Sequence, residues 1–193
     1  MSHLPPDPFS ASTDTRRSFL RRLAAAGAVL ALGRFFPAGA ASAPAWVPGM
    51  VLDITFSVAT QASGRVKRPY VAVWIEDAAG KPVRTLSVWA QTSGRGPRWI
   101  PDLRRWYRAN AELLDTVSSA TRNPGTYAVA WDGKTDRGSL APRGDYFVCV
   151  ESAREHGPYS LVRGAVSLGT AAFRKDLGRD GDLEAVRVSY AKG

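Results

Sequence analysis

Leu52-Asp53-Ile54-Thr55-Phe56-Ser57-Val58 decides the fold. Apolar side chains take every second position and small polar ones stand between them, which is the period-two pattern of a strand with one face buried and one wet. The pattern recurs along the chain. Tyr70 to Glu76 and Val83 to Trp89 flank Asp77-Ala78-Ala79-Gly80-Lys81-Pro82. That connector offers Gly for a positive φ and Pro to end the pairing, so the two runs predict a hairpin. Gly125 to Trp131, Gly144 to Ser152, Tyr159 to Leu168 and Leu183 to Tyr190 repeat the arrangement. About seven short strands separated by turns predict an all-β antiparallel sandwich rather than a parallel α/β sheet.

One stretch breaks the β pattern. Between Gln91 and Asn123 lies Pro101-Asp102-Leu103-Arg104-Arg105-Trp106-Tyr107-Arg108, with Leu103, Trp106 and Tyr107 at i, i+3 and i+4 behind a Pro suited to a first helical turn. A short helical insertion is expected there. Connections this long inside a sandwich tend to carry function.

The N-terminus reads as an address. Thr15-Arg16-Arg17-Ser18-Phe19-Leu20 places a twin-arginine pair ahead of the Ala/Leu-rich run Leu23 to Gly33, and small residues at Ala38-Gly39-Ala40 or Ala43-Pro44-Ala45 suit signal-peptidase cleavage. The apolar run falls short of the roughly 20 residues a membrane span needs, and Arg34 closes it. Residues 1–43 are therefore expected to be a cleavable twin-arginine signal peptide, and residues 44–193 one mature periplasmic domain. The twin-arginine route passes folded cargo.

The chain carries 26 basic and 17 acidic residues, a net charge of +9. Without the five arginines and two aspartates of residues 1–43, the remainder holds 21 basic and 15 acidic residues, a net charge of +6. The arginines are dispersed rather than blocked, and an exported protein seldom meets nucleic acid, so anionic cofactors, partners or lipid headgroups are the fitting ligands. Cys149 is the only cysteine, which excludes an intramolecular disulfide and any Cys-rich metal site. Its strand setting suits a small apolar residue.

No Ser/His/Asp order, carboxylate pair, nucleophile elbow or phosphate-binding Gly loop is present, so intrinsic hydrolase chemistry lacks support. Asp132 and Asp136 have loop-like spacing for calcium, but Lys134 stands between them and no carboxylate follows at the twelfth position. Asp176, Asp180 and Asp182 around Gly181 fit the turn of the last hairpin better. His156 is the one histidine beyond the signal. With Glu151 and Glu155 it could form a metal site only if the strand end curled, so no metal is expected.

Trp131-Asp132-Gly133-Lys134-Thr135-Asp136-Arg137-Gly138 followed by Arg143-Gly144-Asp145-Tyr146 resembles the Ig-like domain of flagellar hook-capping proteins. That resemblance covers the fold alone and implies an Ig-like sandwich. Asp115-Thr116-Val117-Ser118-Ser119-Ala120-Thr121 resembles the flavinylation motif read by exported FAD:protein FMN transferases. In that motif an acid precedes Ser/Thr-Gly-Ala-Ser/Thr, and the last hydroxyl receives FMN through a phosphoester. By this resemblance Asp115 is the acid, Ser118 the first hydroxyl, Ala120 the alanine and Thr121 the acceptor, while Ser119 stands where the motif has glycine. Arg122 and Asn123 could reach phosphate oxygens, and Trp99, Trp106 and Tyr107 could cover an isoalloxazine face. The plain alternative is a Ser/Thr-rich loop entering the next strand, with those aromatics in the core.

From Tyr70 to Gly169 the chain is similar to an exported bacterial family known only as a domain of unknown function. The matching segments are Val73-Trp74-Ile75-Glu76-Asp77, Val83-Arg84-Thr85-Leu86, Ala120-Thr121-Arg122-Asn123-Pro124-Gly125, Trp131-Asp132-Gly133 and Glu151-Ser152-Ala153-Arg154-Glu155-His156-Gly157. The resemblance implies company with PepSY-type membrane flavoreductases and FMN transferases, and hence an electron carrier or accessory protein in envelope redox chemistry rather than a stand-alone enzyme. Without flavin, the same fold would serve as a binding module docking on a membrane partner through its edge strands or basic face.

Overall fold

Alternation at Leu52, Ile54, Phe56 and Val58 sends all four side chains into the interior, each no more than 2 % exposed. The computed structural model describes residues 44–61 and 67–193; the signal expected over residues 1–43, and residues 62–66, lie outside the described residues. Nine strands are present among them: β1 (Met50–Val58), β2 (Tyr70–Asp77), β3 (Pro82–Trp89), β4 (Ser118–Ser119), β5 (Gly125–Trp131), β6 (Gly144–Ala153), β7 (Tyr159–Leu168), β8 (Phe173–Asp180) and β9 (Leu183–Lys192). They form two sheets, in the orders β5-β1-β9-β8 and β4-β3-β2-β6-β7. Every pairing is antiparallel except the two-residue contact of β4 with β3. The chain is the all-β sandwich that its alternation predicts.

The main core lies between the sheets. Leu52, Ile54 and Phe56 of β1 and Val186, Val188 and Tyr190 of β9 meet Val71, Val73 and Ile75 of β2 and Val148 and Val150 of β6. Gly133 is buried at one end, with φ +83, and a Cβ there would lie 2.3 Å from the Trp46 ring. Only glycine meets both demands, which explains the Trp-Asp-Gly string after β5.

β2 is buried on both faces. Its other face, with Ala72 and Trp74, joins Val88, Cys149 and Ala153 in a second core against Ile100, Leu103 and Trp106 of the insertion. The insertion runs as a 3-10 segment Gly96–Asp102, helix α1 (Arg104–Asn110), a 3-10 turn Ala111–Leu113 and the single helical turn α2 (Leu114–Val117). The expected helix is present, but Pro101 does not start it. Pro101 lies inside the 3-10 segment, and Leu103, at ψ 68, breaks the path before α1 begins at Arg104.

Two buried carboxylates fasten the insertion. Glu151 of β6 accepts hydrogen bonds from the backbone amides of Arg105 and Trp106, both at 2.9 Å, and so supplies from another element the cap that α1 lacks in its own sequence. Glu76 of β2 accepts from Arg105 Nε and Nη2, from Arg163 Nε at 2.8 Å, and from Trp74 Nε1 at 3.0 Å. Trp106 is wholly buried and donates from its indole nitrogen to Thr85 Oγ1 at 3.1 Å. A third buried charge, Arg154, pairs with Asp182 and donates to the carbonyls of Lys67 and Ala59, tying the two sheets together.

Candidate functional site

Where the insertion returns to the sandwich, the chain straightens after α2, because Ser118 is extended at φ -73 and ψ 141. Ser118 and Ser119 then lie beside Val88 and Trp89 as the outermost strand of the five-stranded sheet. The amide of Ala90 donates to the Ser119 carbonyl at 2.8 Å, and Ser119 Oγ donates to the Val88 carbonyl at 3.1 Å. These bonds fix the register of the strip and leave Ala120 and Thr121 in the loop that leads to β5.

The five residues singled out from the sequence fall on this one path. Asp115 is exposed on α2, Ser118 is half-buried in β4, Ala120 is exposed, Thr121 is half-buried and Arg122 is exposed. Ser119 is not in the left-handed region, since His156 is the only non-glycine residue at positive φ among those described. The backbone at that position therefore has no need of glycine.

Thr121 borders an open cleft of about 480 Å³, whose lining also includes Arg68, Gln91, Thr92, Ser93, Ser118 and Ser119. Arg68 donates from Nε to Asn123 Oδ1 at 3.0 Å, and Tyr127 donates its hydroxyl to the Asn123 carbonyl at 2.6 Å, so the turn after Thr121 is braced from both sides. The Arg122 guanidinium carbon stands 5.1 Å from the Trp89 ring centroid and 5.7 Å from that of Tyr127. Stacking of this kind orients a guanidinium while leaving its N–H edges free to donate. The cleft lining includes Thr121 and one cation, Arg68. Its lining holds no histidine or carboxylate, so it has no general base of its own.

Arg68 and the Gln91–Ser93 stretch escaped the sequence reading. Nothing in their spacing marks them, because the sheet alone brings them beside residues 118–121. The aromatic residues proposed as a flavin cover need correcting. Trp106 is at 0 % exposure in the second core, Tyr107 packs against the same cluster, and Trp99 meets His156 edge-on at 4.5 Å. None lines the cleft; Trp89 and Tyr127 are the rings near Arg122.

The weaker alternatives find their side chains engaged elsewhere. Glu151 caps α1, and Glu155 faces Lys67 at 3.9 Å. Asp132 pairs with Lys134 at 3.0 Å, and Asp136 accepts the Thr85 amide. Among the described residues no group of three or more His, Cys, Asp or Glu side chains is placed to hold a metal. The Cys149 thiol is pushed well up, first by burial and then by the nearby Glu76 charge, which keeps it protonated and inert. No described helix is long and apolar enough to cross a membrane.

A family model described as predicted periplasmic protein (DUF2271) matches residues 51–185, from within β1 to within β9. No curated protein and no solved structure matches the chain.

Proposed function

We propose, from the premise that this chain belongs to the DUF2271 family of predicted periplasmic proteins, that it is an accessory protein of an envelope redox system carrying FMN covalently on Thr121. Its route to the periplasm is the twin-arginine pathway. An FAD:protein FMN transferase modifies it, and a PepSY-type membrane flavoreductase exchanges electrons with it. The observation that carries this reading is the placement of residues 115–121. Ser118 and Ser119 form the outer strand of the five-stranded sheet, Asp115 precedes them on α2, and the hydroxyl-bearing Thr121 follows them at an open cleft lined by Arg68.

The chemistry asks little of this chain. Thr121 Oγ forms the new bond to the FMN phosphorus of FAD, the pyrophosphate link breaks, AMP leaves, and the hydroxyl proton passes to a base on the transferase. The substrate protein has only to present an accessible hydroxyl on a folded surface. Arg68 and Arg122 then neutralise the phosphodiester, and a cation near the isoalloxazine stabilises the anionic reduced ring.

Coexpression with an FMN transferase tests this. The purified protein should be yellow, and its flavin fluorescence should persist on a denaturing gel, as a covalent link requires. Colourless protein made beside a transferase that labels another substrate overturns the assignment. Flavin persisting in Thr121→Ala would move the attachment elsewhere.

A further inference from the structure

We infer that the chain has a second anion site, a cleft between α1 and β7 built for a phosphate-bearing ligand. The cleft is about 420 Å³ and is lined by Glu76, Gly80, Arg104, Arg105, Arg108 and Tyr159, among others. It borders β7, at the edge of the sheet away from β4, so it is separate from the Thr121 cleft and stands independently of the flavin reading.

Charge is the first argument. Arg104, Arg105 and Arg108 of α1 line the opening, and Arg163 of β7 lies next to it beside Gly80. Against them stand Asp180, whose carboxylate accepts the Leu161 amide, and two buried carboxylates, Glu76 and Glu151, so one positive charge remains in surplus. Both buried carboxylates are already occupied. Glu76 Oε1 takes Trp74 Nε1 and Arg105 Nε, Glu76 Oε2 takes Arg105 Nη2 and Arg163 Nε, and Glu151 takes the two amides at the start of α1.

Geometry is the second. The Arg104 guanidinium carbon is held 4.7 Å from the Tyr159 ring centroid, which orients its plane and leaves its edges as donors. A Cβ on Gly80 would stand 3.5 Å from Arg163 Nη2, 3.8 Å from Glu76 Oε2 and 3.9 Å from Arg105 Nη2, so both guanidiniums meet at the Glu76 carboxylate beneath the β2–β3 turn. The Arg105 and Arg163 side chains remain 39 % and 28 % exposed, which leaves them within reach of a ligand. Glu76 engages Arg105 and Arg163, and Arg104 and Arg108 of the cleft lining supply further guanidinium forks. Several forks match a dianion with more acceptor oxygens than a carboxylate, such as a phosphate group.

A soluble phosphate ester and an anionic lipid headgroup share this chemistry, and two probes separate them. Pyrophosphate is titrated calorimetrically into the mature protein, and the protein is cosedimented with phosphatidylcholine vesicles with and without phosphatidylglycerol. Saturable binding to pyrophosphate identifies the soluble class, and binding only to the anionic vesicles identifies the lipid. In either case Arg104→Ala/Arg108→Ala should weaken binding by more than about tenfold with an unchanged unfolding midpoint. Arg174→Ala/Arg187→Ala, on the other sheet, should leave it intact. The inference is overturned if neither probe binds, if the α1 double variant binds as well as the parent, or if both double variants lose affinity equally.

Discussion

Replacing Glu76 by alanine should cost this domain about 3 kcal/mol. Its side chain is only 3 % exposed and accepts four hydrogen bonds, two of them from Arg105 and one each from Arg163 and Trp74. Removing one member of a buried ion pair costs about 3–5 kcal/mol when the charge left behind stays dry. Here the arginine side chains are 39 % and 28 % exposed and can turn toward water, which reduces that figure to roughly 2 kcal/mol. The Trp74 indole N–H remains buried and unpaired, adding about 1 kcal/mol. At about 2–4 °C per kcal/mol for a domain of this size, thermal unfolding followed by circular dichroism should move down by roughly 6–12 °C at pH 7.

The pH dependence has a definite sign. Burial raises the Glu76 carboxyl, but hydrogen bonds from Arg105, Arg163 and Trp74 outweigh it and hold the group below the usual carboxylate range. A carboxyl depressed in the folded state contributes stability that is fully present above its unfolded value, about 4.3, and lost as pH falls through the folded value. The gap between parent and Glu76→Ala should therefore be full at neutral pH and close in acid, and Glu76→Gln should show the same closure with less lost packing. An equal midpoint at pH 7, or a gap that ignores pH, would refute the assignment of Glu76 as the charged anchor of the insertion.

Three further outcomes follow from the packing. Trp106→Ala should lose about 3–5 kcal/mol and speed amide hydrogen exchange across residues 96–117, because its ring is wholly buried under the insertion; unaltered exchange there would show that the insertion is held by other contacts. Gly133→Ala should destabilise by more than about 1 kcal/mol in chemical denaturation, since the position combines φ +83 with a 2.3 Å approach to the Trp46 ring. Cys149 should resist iodoacetamide at pH 8 in the native protein and react fully in denaturant, as mass spectrometry would read; native labelling would contradict its burial.

Much of the sandwich was legible where a strand has one wet face. β1 and β9 show their buried side in plain alternation, and Asp77 to Pro82 marks its turn through Gly80, at φ +80. β8 was missed. Phe173–Asp180 is an edge strand whose register shifts at Gly178, and among its residues only Phe173 and Leu177 pack against the core. It exists through backbone pairing to β9, which a side-chain pattern does not record. Asp176 and Asp180 accordingly belong to a strand, while Gly181 and Asp182 make the turn. β4 is too short for any periodicity. The start of α1 was misplaced for a tertiary reason: its cap is Glu151, 46 positions from Arg105. At the candidate site, residues 115–122 were visible as a string. Arg68 was not, because its place beside Asn123 is set by strand order in the folded sheet, and Trp106 was assigned to a ligand face when helical periodicity marked a core position equally well.

The reading of Thr121 as a flavin carrier meets its most direct test in the intact mass of the mature protein from cells expressing an FMN transferase. The account predicts a gain of one FMN less one water in the parent and none in Thr121→Ala. An unmodified parent mass, from cells whose transferase demonstrably labels another substrate, would contradict it.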